Sequence, residues 1–343
     1  MPLQYEKVAT TEGYFKEQAL SKYRLTEKSH PHEFVEVFFP FRKNTKKSQN
    51  GGADKEWLSI EQLTKWTNTK AIMNGAGDQV YRDFKPFTIE EIRRHMGIYL
   101  LQGIAPSPRV ELKFASQSND PIHGNDFVNN SFGTNAVRRH RQFKAFFAVQ
   151  NPMIETPDRR NFPNWKVRPL INWINYVGPL VYKPGMSISV DEMTMRFKGK
   201  HKDKLRITYK KEGDGFQADA LYDDGYTLQV YMRNDPAPKK YLSKGLSPLH
   251  TRVMSLFDVL EESYHQCAMD NLYNSAAFCR AAFNHKWKVL CHGVARKGNR
   301  GIPVCVSQKE MISRKDQLKV RGTVKAAVLE GDEGCPNLIA SSV

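Results

Sequence analysis

Apolar residues fall at helical spacing from residue 56 onward. Ser59, followed three residues later by Gln62, has the form of a capping box ahead of Leu63 and Trp66. Thr88 and Glu91 repeat it. Behind them Ile89, Ile92, Met96 and Tyr99 return every three or four residues, which predicts an amphipathic helix over 89–102, ended by Pro106 and Pro108. The stretch 134–149 predicts a second helix, with Val137, Phe143, Phe146 and Phe147 apolar among Arg138, Arg139, His140, Arg141 and Lys144. Pro169 opens a third, where a first-turn proline is expected, with Leu170, Trp173, Ile174 and Val177 on one face. Residues 56–185 therefore read as a helical domain.

After Lys183-Pro184-Gly185 the period changes to two. Residues 186–197 alternate and are rich in strand formers, but the apolar phase shifts at Asp191: Ile188 and Val190 lie on even positions, Met193, Met195 and Phe197 on odd ones. A central strand covered on both faces accounts for the shift, and so does a bulge at the acid. Further strands are expected near 204–210, 216–222 and 227–232, divided by turn signals at 212–215 and 223–225. Residues 265–270 read as a short strand ending in an acid. Asn274-Ser275 then caps an apolar helix over 276–285, and 287–294 returns as a strand. Three strands followed by strand–helix–strand is an α/β pattern with one mixed sheet over 186–343. Residues 1–55 have weak periodicity and form a partly flexible N-terminal segment. Within it, an apolar patch (34–41) precedes a basic, polar run (42–52) that fits a solvated linker or a nuclear-import patch.

Composition adds a partner class. Lys+Arg number 52 against 36 Asp+Glu, a net charge of +16. That balance suits a polyanion, nucleic acid before an anionic membrane, or belongs to a soluble protein that is simply basic. No segment reaches the roughly 18–20 continuous apolar residues of a membrane helix, and no signal-peptide pattern opens the chain. The five cysteines, Cys267, Cys279, Cys291, Cys305 and Cys335, contain no C-x-x-C pair and read as small buried hydrophobes in a reducing compartment.

Two acids stand out by position. Asp191 sits inside an otherwise apolar or small strand, and Asp270 ends another. A carboxylate in a sheet core is costly unless paired or metal-bound. Acids brought together from neighbouring strands repel, and a divalent cation removes that repulsion. Mg²⁺ takes oxygen ligands and keeps positions for substrate phosphates; two such ions can activate a water and stabilise a leaving oxygen. The alternative is two unrelated acids, one paired with a lysine and one at a strand end.

Ser189-Val190-Asp191-Glu192, with Phe197-Lys198-Gly199-Lys200 behind it, resembles the first catalytic strand of piggyBac-type transposases. Met269-Asp270-Asn271-Leu272-Tyr273-Asn274-Ser275 resembles their second acidic motif, and residues 292–303 resemble the Gly-x-x-Arg-x-x-Arg-x-x-Pro segment that follows. Trp66-Thr67-Asn68, the helix from Thr88 and Pro169-Leu170-Ile171 also sit where that family has similar residues. The resemblance spans roughly 56–343 and implies an RNase H-like catalytic domain behind a helical dimerisation and DNA-binding region. It further implies double-stranded DNA as partner, a homodimer, a nuclear location, no small-molecule substrate, and cleavage and joining at TTAA sites with three Asp residues and Mg²⁺. Asp191 would be the first metal ligand and Asp270 the second. The family's third Asp lies in a Gly-rich motif that this sequence does not show. Asp332, the nearest acid, is flanked by turn residues. The expectation is a truncated or decayed copy, incomplete at the C-terminus, with weak or vestigial Mg²⁺ binding. The rival expectation is a non-catalytic protein-interaction module on the transposase scaffold.

Basic residues alternate along 196–206, so that Lys198, Lys200 and Lys202 can line a phosphate groove or simply charge a solvated hairpin; Arg296, Lys297 and Arg300 carry the same ambiguity. There is no phosphate-binding Gly-rich loop with Lys-Ser/Thr and no nucleophile elbow. His201, His250 and His265 are scattered and read as surface residues.

Overall fold

A computed structural model describes residues 9–16, 58–104, 106, 110–114, 135–154, 164–197, 199–206, 214–242, 245–294, 324–327 and 338–341. The patch 34–41, the basic run 42–52, Lys198, Arg296, Lys297, Arg300, Cys305, Asp332 and Cys335 lie outside the described residues. The chain divides into two compact units. One comprises Ser29–Arg160 with Asn164–Trp173; the other comprises Met1–Lys28, Asn161–Pro163 and Ile174–Val343.

The first unit is helical. Helix α1 (Ile60–Met73) starts at the expected capping box: Gln62 N–H donates to Ser59 Oγ at 3.2 Å and Ser59 N–H to Gln62 Oε1 at 3.0 Å. Helix α2 (Ile89–Ile104) repeats this with Thr88 and Glu91 at 2.9 and 3.2 Å. Helix α3 (Ala136–Phe146) closes the unit. Leu58, Ile60, Leu63, Trp66, Phe87, Ile92, Met96 and Phe143 form its core, so the apolar stripes of all three helices meet. Asn68 ties α1 to the approach of α2 by pairing with both backbone groups of Phe87, at 2.7 and 2.9 Å. Arg139 of α3 lays its fork on Glu91 at 2.8 and 3.0 Å. His95 and His140, both fully buried, meet Nδ1 to Nδ1 at 3.3 Å, and His95 stacks on Phe143. Burial, and then the charges of His140 and Arg139, push the His95 imidazole down to about 3. Helix α4 (Arg168–Val181) begins here with Pro169 in its first turn, as expected, and from Ile174 onward belongs to the second unit.

The second unit holds the sheet. Strand β1 (Tyr14–Phe15) pairs antiparallel with β2 (Tyr182–Lys183), so part of the N-terminal segment is ordered against this unit. The main sheet contains β3 (Ser187–Arg196), β4 (Leu205–Arg206), β5 (Asp214–Asp223), β6 (Tyr226–Met232), β7 (Gln266–Met269) and β8 (Leu290–Gly293). Its order is β4-β5-β3-β7-β8, with β6 also on β5. The first three pairings are antiparallel hairpin-like ladders; β3–β7 and β7–β8 are parallel. The sheet is mixed, as the pattern predicted. Strand β3 is central, between β5 and β7, and its register with β5 runs unbroken from Ser189 to Arg196. The phase shift at Asp191 is therefore not a bulge, and the strand is not buried on both faces either: Ile188 and Val190 are buried, Asp191 is exposed, and Met193 and Met195 are half-buried. The register irregularity lies in β5 instead, between Leu221 and Tyr222 against β6.

Two helices here were not foreseen: α5 (Lys239–Leu242) and α6 (Pro248–Leu256), the latter capped by Ser247 and packed on β5 and β6. Helix α7 (Ala276–Phe283) was foreseen; Ser275 is its cap, taking the Phe278 N–H at 3.2 Å. Strands β9 (Val324–Ala327) and β10 (Leu338–Ser341) make a separate antiparallel pair. Along β6, Asn175 of α4 supplies both halves of a strand-like pairing to Val230: Nδ2 donates to the carbonyl and Oδ1 accepts the N–H, each at 2.8 Å. The helix comes so close that a Cβ at Gly178 would lie 2.5 Å from the Leu228 carbonyl oxygen. Glycine is required there because the backbone occupies the side-chain volume.

Candidate active site

The parallel ladder of β3 and β7 pairs Ile188 with Cys267 and Val190 with Met269. One residue further along each strand stand Asp191 and Asp270. Asp191 is the fifth residue of the ten-residue β3 and Asp270 is the first residue past the end of β7, so the two acids follow a register pair of parallel strands about 4.8 Å apart. Both are exposed. Each is oriented in the same local way: Glu192 N–H donates to Asp191 Oδ1 at 2.7 Å, and Asn271 N–H donates to Asp270 Oδ1. One oxygen of each carboxylate is thus held by the adjoining backbone. Asp270 also starts a tight turn, its carbonyl accepting the N–H groups of Tyr273 and Asn274 at 3.1 and 3.2 Å. On β8, His292 pairs in register with Ala268 and is exposed on the same face as Asp270.

The expectation that Asp191 is a carboxylate inside the sheet core is corrected: it stands in solvent, so burial imposes no cost there. The most deeply buried acid of this sheet among the described residues is Asp219, which sequence reading passed over. It lies on β5 in register with Glu192 and is 0% exposed. Three side chains compensate it. Arg233 Nε donates to Oδ1 at 2.8 Å and Arg252 Nε to Oδ2 at 3.1 Å; the Tyr273 hydroxyl also donates to Oδ1 at 2.9 Å, and Arg233 Nη2 in turn donates to that hydroxyl at 3.0 Å. Arg233 Nη1 also reaches Glu192 at 2.7 Å. Burial and then the Asp219 charge push the Tyr273 phenol up, which keeps it a donor. Burial opposes the charge on Arg233, but Asp219 outweighs it and raises the guanidinium. The signal was present in Ala218-Asp219-Ala220-Leu221, an acid amid small and apolar strand residues like the one that drew attention to Asp191.

The ion cluster also settles Glu192. With no bulge in β3, it faces away from Asp191 and is taken by Arg233, so it does not join the two-carboxylate face. Among the described residues, no group of three or more His, Cys, Asp or Glu side chains is arranged to hold a metal ion. Two hard oxygen donors still fit a cation such as Mg²⁺, which is bound through one or two carboxylates plus substrate phosphates. The remaining candidates divide. Lys200 and Lys202 are exposed in the connection between β3 and β4, whereas Lys204 and Arg206 share Asp214 at 3.3 and 3.7 Å. His201 is exposed as expected. His265 is corrected from surface to interior, its Nδ1 meeting the Gly185 carbonyl at 2.7 Å, and His250 is half-buried, donating from Nε2 to the Tyr273 carbonyl at 3.0 Å while stacking on Phe278. Cys267 is buried, and burial pushes its thiol up; Cys279 and Cys291 are partly buried, and all three are free thiols.

Comparison with known proteins gives one family and one fold. The family model described as transposase IS4 matches residues 59–329, more than half of the chain. Among solved structures, the chain is similar to the piggyBac transposase in its synaptic complex with hairpin DNA, solved by cryo-EM. The TM-score is 0.61 and the identity 18%, over 78% of this chain and 53% of that one. The chain thus spans about half the length of that transposase, and the shared architecture includes the RNase H-like mixed sheet behind a helical region. No curated protein matches it. Among the described residues, no helix is long and apolar enough to cross a membrane.

Proposed function

From the premise that this chain belongs to the transposase IS4 family, we propose that it is a piggyBac-type, transposase-derived DNA-binding protein whose Asp191 and Asp270 form a two-carboxylate site for a divalent cation, Mg²⁺ by preference. The observation that supports this reading is that the two acids directly follow the Val190–Met269 register pair of the parallel strands β3 and β7. When bound, the cation supplies charge neutralisation at a scissile phosphate and acidifies a water. The chain's own part is to present two carboxylates with one oxygen each already engaged by backbone N–H. Lys200 and Lys202, with Lys198, Arg296, Lys297 and Arg300, supply phosphate contacts to duplex DNA. The solved transposase carries DNA in a synaptic complex; the same partner class suits the +16 charge of this chain. A homodimer, a nuclear location and a preference for TTAA sites belong to the same proposal, as does the division into a 1–55 segment, a 56–185 helical region and a 186–343 catalytic-type domain.

Two converging carboxylates hold one shared ion, whereas in-line phosphodiester transfer is stabilised by ions on both sides of phosphorus. The 343-residue chain accordingly binds Mg²⁺ weakly and does not complete transposition by itself. The test incubates the purified chain with Mg²⁺ or Mn²⁺ and duplex DNA carrying element ends, beside Asp191→Asn and Asp270→Asn. Retarded DNA without strand cleavage is the expected result. Cleavage that both variants abolish overturns the inactive reading, and absence of DNA binding at low salt favours the protein-interaction module.

A further inference from the structure

The buried cluster around Asp219 lies on the opposite side of β3 from Asp191, yet it grips the chain next to both Asp191 and Asp270. On the β3 side, Asp219 is the register partner of Glu192, the residue after Asp191, and Arg233 bridges the two acids at 2.8 and 2.7 Å. On the β7 side, Tyr273 ends the turn that begins at Asp270: its N–H donates to the Asp270 carbonyl at 3.1 Å, while its hydroxyl donates to Asp219 at 2.9 Å. His250 fixes the same residue from a third direction, through the Tyr273 carbonyl. Arg252 of α6 holds the other oxygen of Asp219. Both acids are exposed, and each has one oxygen held by the N–H of the residue that follows it, so whatever sets their separation acts through the backbone.

We infer that Asp219, Arg233, Arg252 and Tyr273 are positioning residues that fix the spacing of Asp191 and Asp270 from behind the sheet and thereby set the cation affinity of the pair. This rests on the two-carboxylate reading given above. A buried Asp held by two arginines and a tyrosine is an expensive device for stability alone, because a well-packed apolar cluster of the same volume serves as well or better. Its value lies in rigidity: a planar guanidinium shared by two carboxylates admits little change in their separation. Partners that orient ligands from behind typically change metal affinity by about 10–100-fold when removed.

The experiment measures Mn²⁺ affinity by paramagnetic line broadening and by calorimetry, well below the melting temperature, on the full chain. It compares the parent with Tyr273→Phe, which deletes one hydroxyl, and Arg252→Lys, which keeps the charge and loses the fork; Asp191→Asn defines the site. Amide exchange at Asn271 and Tyr273 is followed in the metal-free chain. The expected result is a loss of about 10-fold in Mn²⁺ affinity and faster exchange at the 270–274 turn in both variants, with cooperative melting retained. Equal affinity and equal exchange in parent and variants overturn the inference and leave the two-carboxylate site standing. Mn²⁺ binding that Asp191→Asn does not alter, or no binding by the parent, overturns the site and the inference together.

Discussion

Glu192 and Asp219 lie side by side across the β3–β5 ladder, and Arg233 closes on both, at 2.7 Å to one and 2.8 Å to the other. Two like charges in register repel, and one of these is wholly cut off from water. A single guanidinium converts that repulsion into a bridge between two strands. Arg233→Ala leaves Asp219 with Arg252 and Tyr273 only and Glu192 without its bridge. The loss of folding stability is expected to be about 3–5 kcal/mol, as for breaking a buried ion pair by removing one partner. Urea denaturation measures it. A change below about 1 kcal/mol would mean that the bridge is not a structural requirement.

The buried histidine pair of the helical unit predicts acid sensitivity. His95 titrates near 3 in the fold, against 6.5 when free. A histidine depressed in this way favours the folded state while neutral, so its contribution is fully present above pH 6.5 and is lost as the pH falls from 6.5 toward 3. Each unit in that window removes about 1.4 kcal/mol. Amide exchange in α2 and α3 at pH 7.5, 5.5 and 4.5 should show progressive loss of protection, and His95→Leu should make the loss shallower. Protection independent of pH in both proteins would contradict the burial of the pair.

Lys200 and Lys202 are expected to act on DNA through phosphate charge. Each replacement by Ala should weaken duplex binding equally for all sequences and reduce the slope of log K against log salt by about 1. A shift assay between 50 and 200 mM salt reads both quantities, with about 10³–10⁵ in affinity lost over that range if 6–10 phosphates are neutralised. An unchanged slope would place the phosphate contacts elsewhere.

Gly178 and Asn175 should be sensitive for one shared reason. A methyl at Gly178 meets the Leu228 carbonyl, so Gly178→Ala must push α4 off β6 and stretch both Asn175 bonds. A loss of about 1–3 kcal/mol is expected from overpacking. Asn175→Ala should cost a similar about 1–3 kcal/mol, by leaving the Val230 N–H and C=O unmatched. Additive losses in the double variant would show that the two residues act separately; a double variant no worse than either single one is the expected outcome.

Much of this architecture was legible because local rules and tertiary demand agree. The capping boxes at Ser59 and Thr88, the first-turn Pro169 and the Ser275 cap satisfy backbone groups that any helix leaves open, so the sequence states them directly. Asp191 and Asp270 drew attention because acids are rare within apolar strand patterns, and the parallel pairing of the residues before them, Val190 and Met269, lies between neighbouring sequence-predicted strands. What sequence did not yield depends on partners far along the chain. Asp219 meets Arg233, Arg252 and Tyr273 over separations of 14, 33 and 54 residues, and no periodicity encodes such meetings. Helix α6 escaped notice although Ser247-Pro248 is a start signal, because Thr251, Val253, Met254 and Leu256 are all buried and the helix lacks a clear polar face. The burial of His265 was illegible for a related reason: an imidazole goes inside when a carbonyl is waiting for it, as that of Gly185 is here, and the half-buried His250 likewise meets the Tyr273 carbonyl.

The strand-like pairing that Asn175 makes with Val230 also bears on how molecules meet one another. A strand paired on one side only offers a row of N–H and C=O groups that another chain can adopt as a template. Here the last strand beyond β5 meets a side-chain amide that imitates one peptide unit and then stops, because the rest of α4 is helix and offers no further donors in line. The sheet is terminated by a molecular blank. Association between copies of this protein cannot proceed by extending the sheet past Val230 unless α4 first comes away.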